Sequence, residues 1–210
     1  KLDENGQPEL VTASMYKFSP QFIEKYLPCT IELGRSFVHP DYQASKMGSK
    51  SLYSLDNLWD GLGAITVLRP DMKYFFGKVT VYPSYDEQAR ELIFTFLNKY
   101  FPDSEALVEP IEPFNRPEFS KEYTNLFEGG NYKEEYKVLN AGVRERGVNI
   151  PPLVNTYMGL SPKMRSFGYA VCEELGGLIE FAIMVPIYEM YEEKKARHIE
   201  TFVDNGFKIK

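Results

Sequence analysis

Two extended stretches flanking a helical one constrain this chain more than anything else in it. Residues 30–38 alternate, with Ile31, Leu33 and Phe37 on one side and Glu32, Gly34, Ser36 and Val38 on the other, the period of a strand. Residues 52–68 then place Leu52, Leu55, Leu58, Trp59, Leu62 and Ile65 three and four apart, the period of a helix. Residues 74–82, YFFGKVTVY, are aromatic and β-branched and end at Pro83, so they read as a second strand, with Gly77 suited to a bulge or a close backbone approach. Two strands joined through a helical crossover pair in parallel, because a tight hairpin cannot connect them. The period also places Arg35 among the apolar residues of its strand, opposite Glu32. There its guanidinium needs a carboxylate partner.

The remaining chain reads as further helices and strands. Ser19-Pro20 caps a short helix through Leu27, and Gly61 and Gly63 admit a close neighbour or mark a frayed end. Ser84 and Glu87 have capping-box spacing ahead of a stripe from Ala89 to Tyr100. Residues 103–120, with Pro110, Pro113 and Pro117, read as a long surface loop of the kind that covers a site. Residues 131–146 form a polar helix closed by Gly147, and Pro151-Pro152 open a short one. Residues 163–174 and 178–187 flank Gly176-Gly177 as antiparallel strands, and residues 188–202 form a charged terminal helix. The reading is one α/β domain over residues 1–210.

Composition narrows the function. With 210 residues, 43% hydrophobic, including 15 Tyr and 15 Phe, the chain can build a core without metal or disulfide staples. Lys and Arg number 24 against 30 Asp and Glu, so the basic footprint of a nucleic-acid binder is missing. Cys29 and Cys172 read as reduced core thiols. The longest apolar run, Phe181 to Ile187, contains Pro186 and is far short of the roughly 20 residues of a membrane-spanning helix. A cytoplasmic protein is expected, with peripheral contact at the inner membrane surface allowed. The opening at Lys1, without initiator Met, reads as the start of a truncated portion.

Familiar catalytic signatures are missing: there is no GxGxxG, Walker or GxSxG sequence, and His39 and His198, the two histidines, do not make a multi-histidine metal site. His39, beside Pro40, reads as a turn residue. The informative stretches are Glu32-Leu33-Gly34-Arg35-Ser36-Phe37-Val38-His39-Pro40, then Leu58-Trp59-Asp60-Gly61-Leu62-Gly63, then residues 74–85, supported by Ile150-Pro151-Pro152-Leu153 and Tyr191-Glu192-Glu193-Lys194-Lys195. In that order they resemble the GNAT-type N-acyltransferases of the group named hemolysins, which includes ornithine-lipid and glycine-lipid synthases and lies near the acyl-homoserine-lactone synthases. The Bacteroides-like members are the most similar, and the resemblance runs from about Phe18 onward.

That resemblance implies a GNAT-like mixed sheet flanked by helices, here without its N-terminal strands. It implies transfer of a (3-hydroxy) fatty acyl group to the amine of glycine or ornithine, with acyl carrier protein or CoA thioesters as co-substrate and no permanently bound cofactor or metal. The pantetheine arm would enter where the first strand splays from its neighbour. The family's glycine-rich phosphate loop is replaced by the longer, basic residues 43–51, so Lys46, Gly48, Ser49 and Lys50 become candidate donor-phosphate ligands, and the lysines favour the acidic surface of a carrier protein over CoA.

Chemistry adds its own requirements. Acyl transfer from a thioester to an amine needs a proton acceptor and donors for the tetrahedral oxyanion. Glu32 is the candidate base, with a lysine-paired surface carboxylate as the competing reading. Ser36, Phe37 and Val38 offer strand amides to the thioester and pantetheine. Arg35 offers a planar fork to an acceptor carboxylate, against a purely structural ion pair. Ser84 is a candidate substrate ligand, though helix capping accounts for it too, and Tyr85 is a candidate acid for the leaving thiolate. A non-catalytic ligand- or protein-binding module on the same fold is the alternative.

Overall fold

A computed structural model describes residues 2–4, 6–35, 39–42, 46, 48 and 51–204. Its main sheet contains β2 (Thr30–Leu33), β3 (Tyr74–Val81), β5 (Arg165–Cys172) and β6 (Leu178–Pro186), in the spatial order β2-β3-β6-β5. The expected parallel pair is present, with Thr30 opposite Tyr74 and Leu33 opposite Gly77, and α1 (Ser51–Leu68) is the crossover. β6 runs antiparallel to both β3 and β5, and Gly176 and Gly177 sit at positive φ in the connection between β5 and β6. The result is a mixed α/β sheet flanked by helices, consistent with a GNAT-like fold.

Alternation along the strands divides the core in two. Phe75, Val79 and Val81 of β3 and Ile179, Phe181, Ile183 and Val185 of β6 pack against α2 (Glu87–Tyr100), α3 (Tyr132–Glu145) and α4 (Pro152–Met158). On the opposite face, Phe76, Ala182 and Met184 pack under the N-terminal segment through Met15, Tyr16, Phe18 and Phe22. That segment holds β1 (Tyr16–Phe18), which pairs with β4 (Val108–Pro110) in a second sheet. Residues 103–120 are therefore not a free loop. Arg116 fastens their end by donating to the fully buried Glu91 at 2.7 Å and to Thr95 Oγ1 at 2.7 Å, while Arg90 donates to the other Glu91 oxygen at 3.0 Å. A buried carboxylate tolerates its lost hydration only with such partners.

One bulge carries a second polar device. Between Ser166 and Tyr169 the β5–β6 register slips, and Gly168 takes φ +70° against the ring of Pro110. Across this break the buried Tyr16 hydroxyl donates to Glu180 O at 2.9 Å and accepts from Ala182 N at 3.1 Å. Burial pushes the Tyr16 phenol far above its ordinary pKa.

Several local expectations change. β2 ends at Leu33, and Arg35 is exposed instead of packed with a carboxylate, because the backbone turns to a left-handed conformation, φ +55°, at Arg35 itself. Residues 36–38 lie outside the described residues. Asp86, not Ser84, caps α2, accepting from Ala89 N at 2.8 Å. The terminal helix is split into α5 (Glu192–Lys195), a π-helical turn (Ala196–Glu200) and α6 (Thr201–Asp204). Gly63 does admit a neighbour: a Cβ there would overlap the His198 carbonyl. Both cysteines are unbridged, but half-buried rather than in the core.

Candidate functional site

The site begins where β2 and β3 part. At the last rung a Cβ on Gly77 would lie 2.7 Å from the Leu33 carbonyl oxygen, so the missing side chain lets the strands close on one another there. Among the described residues the ladder then stops, while β3 continues through Lys78, Val79, Thr80 and Val81. Its edge beyond Gly77 borders a cleft of about 720 Å³, walled by Gly34 and Arg35 on one side and by Pro151, Pro152 and Tyr157 on the other. This volume suits a drug-sized or pantetheine-sized ligand.

Period two sets the cleft's polar floor. Glu32, Lys78, Thr80 and Glu180 share the sheet face that carries Phe76 and Ala182, since Glu32 is opposite Phe76, Lys78 opposite Ala182 and Thr80 opposite Glu180. Glu180 is 3% exposed, and its two oxygens accept from Lys78 Nζ at 2.5 Å and Thr80 Oγ1 at 2.9 Å. Sequence reasoning passed over all three residues. The signal was there: Glu180 is the one charge in the strand LIEFAIMVP, and Lys78 and Thr80 alternate with Val79 and Val81.

Glu32 lines the cleft and is half-buried. Its carboxylate accepts from the amides of Val11 and Thr12, each at 2.9 Å, and from the Thr12 hydroxyl. These amides open the 3-10 helix Val11–Ser14, so the side chain also caps a helix from 20 residues away. A lysine partner, the competing expectation, is not what it has.

Other candidates separate from this centre. Arg35 reaches the cleft wall from its exposed turn. Ser84 is exposed in the turn before α2, and the Tyr85 hydroxyl donates to Asn149 O at 2.9 Å. Neither lines the cleft, and burial pushes the Tyr85 pKa up to about 12. Lys46 is exposed and paired with Asp41, and Gly48 has φ +56°. Ser36, Phe37, Val38, Ser49 and Lys50 lie outside the described residues.

A parallel pair that parts over a carboxylate-bearing cleft, inside a mixed sheet, offers an extended ligand a strand edge to lie along. Comparison with known proteins gives the particular relatives. The chain is 52% identical over 203 residues to the glycine N(alpha)-acyltransferase of Phocaeicola vulgatus, covering 97% of this chain and 62% of the relative. It is also 52% identical over 205 residues to the enzyme of the same name from Bacteroides thetaiotaomicron, covering 98% and 61%. Nearly all of this chain is thus similar to two proteins named glycine N(alpha)-acyltransferase, and it spans about three-fifths of their length. No protein-family model matches it, and no solved structure is significantly similar.

Proposed function

We propose that this chain carries the acyl-transfer site of an N-acyltransferase that moves a fatty acyl group from a thioester to the α-amine of glycine. The observation carrying the reading is the opening between β2 and β3 with Glu32 on its wall, in a chain 52% identical to two proteins named for that reaction. The thioester's extended pantetheine would lie along the edge of β3 beyond Gly77, where the ladder ends among the described residues, its amides meeting the strand's backbone. The neutral amine attacks the thioester carbonyl carbon, and the C–N bond forms as the oxyanion develops. The C–S bond then breaks as the amine's proton passes to Glu32, directly or through water, and the departing thiolate takes that proton back from Glu32 or from solvent in exchange with it.

Acyl carrier protein is the donor we favour over CoA, because Lys46 and Lys50 lie in the segment that would receive a single phosphate and an acidic partner. Lys46 now answers Asp41, so the bond to a carrier would replace an existing exposed pair of small worth. The test is transfer to glycine and to ornithine from carrier and CoA thioesters of one chain length, with products read by mass spectrometry. Acylglycine formed faster from the carrier, with the advantage fading in salt, supports the full reading. Acylornithine alone overturns the acceptor, and equal use of both donors overturns the carrier.

One observation favours a non-catalytic module. The Glu32 carboxylate is already engaged by Val11 and Thr12 as a helix cap. Unchanged turnover in Glu32→Gln would move the base elsewhere, and absent turnover in the unaltered protein would favour the module.

A further inference from the structure

Lys78 belongs to two cavities at once. It lines the large cleft beside Glu32, and it also floors a second cavity of about 350 Å³ on the other side of the Val11–Ser14 helix, bounded by Ser14, Met15, Val171 and Cys172. The mouth of this second cavity carries the exposed carboxylates of Glu112, Glu173 and Glu174.

The lysine is under-used where it stands. An ammonium has three N–H donors. Among the described residues Lys78 Nζ meets one strong acceptor, Glu180 Oε2 at 2.5 Å, and one weak one, the Met15 thioether at 3.4 Å. Its side chain is 26% exposed, so the remaining capacity faces the cavities, whereas Glu180, at 3% exposure, has both oxygens occupied. The pair can therefore receive an anion on the lysine side and has little room for a cation on the glutamate side.

We propose that Lys78 Nζ is the anchor for the carboxylate of the amino-acid acceptor, taken up through the second cavity. The inference rests on the acyltransferase reading and assigns its acceptor subsite. A carboxylate on Lys78 displaces the thioether contact and leaves the acceptor's amine at the junction of the two cavities, toward the thioester in the larger one. The three glutamates at the mouth attract the ammonium of the entering zwitterion and repel phosphate-bearing donors, which keeps the donor to the larger cleft. The acceptor so recognised is a small amino acid with a free α-carboxylate.

The test compares glycine with glycinamide, which has the amine but no carboxylate. Binding of each is measured by calorimetry on the purified protein, and transfer to each is measured with a carrier thioester. The unaltered protein should bind glycine about tenfold or more tightly than glycinamide, the scale of one charge-assisted contact. Lys78→Met should erase that preference by weakening glycine alone, and Lys78→Arg should restore part of it. Lys78→Met/Glu180→Gln, which leaves no buried charge unpaired, gives the same reading if the single variant folds poorly. Equal binding of the two ligands by the unaltered protein, or a glycine preference that survives in a folded Lys78→Met or double variant, overturns the anchor. Absence of transfer to glycine despite selective binding overturns the acyltransferase reading and leaves the anchor standing.

Discussion

Thr12 and Glu32 join the N-terminal segment to the strand at the cleft: the Thr12 amide donates to Glu32 Oε1 at 2.9 Å, and its hydroxyl donates to the same oxygen. One carboxylate thus serves as a wall of the cleft and as the cap of the helix that covers its floor. Glu32→Gln should cost about 1 kcal/mol through the weakened cap and, if the residue takes the amine's proton, should lower kcat by about a hundredfold or more. Denaturant melts and steady-state rates on the same preparation separate the two effects, and a melt shift with full turnover assigns Glu32 to capping alone. Thr12→Val keeps the buried volume and should lose about 1 kcal/mol, without the loss of turnover.

Tyr16→Phe should lower stability by about 1–3 kcal/mol, because it leaves Ala182 N and Glu180 O without their partner at the bulge. Urea melts measure this. A loss under 0.5 kcal/mol would mean that water fills the gap.

Gly63→Ala should push the terminal helical segment off α1, since the added methyl falls on the His198 carbonyl. Overpacking of this kind costs about 1–3 kcal/mol. The predicted signature is faster proteolytic cleavage after residue 190, with the strands' amide exchange unchanged.

Alkali should weaken the fold before it ionises the buried phenols. Burial raises Tyr85 and Tyr157 from 10.0 to about 12. Between those values the unfolded chain releases protons that the folded chain keeps, so stability is full below pH 10 and falls as pH rises toward 12. Melts at pH 8, 10 and 11 test the sign. Tyr157→Phe should flatten the decline.

The parallel pair and its crossover were legible because β2 alternates, β3 is aromatic and β-branched up to Pro83, and α1 keeps its helical stripe. Arg35 was not, because period two was extended past Leu33, whereas Arg35 itself takes a left-handed conformation at φ +55°. The β1–β4 sheet was invisible for a different reason: three-residue strands 90 positions apart carry no local periodicity, and only tertiary pairing makes them strands. Glu180 was hidden by its own strand, which is buried on both faces, so a continuous apolar run masked the one residue that belongs to the site.

Glu91 has a consequence for traffic into the cleft. By gripping Arg116 it moors the proline-rich stretch to α2, so that stretch cannot serve as a swinging door. The covering that lies over the catalytic candidates is instead the Val11–Ser14 turn, held at Glu32 by hydrogen bonds to a half-buried carboxylate. Opening of the larger cleft on this side then becomes a contest for hydrogen bonds at the N-terminal segment, and it should follow the strength of the Thr12–Glu32 contacts more closely than the motion of any long loop.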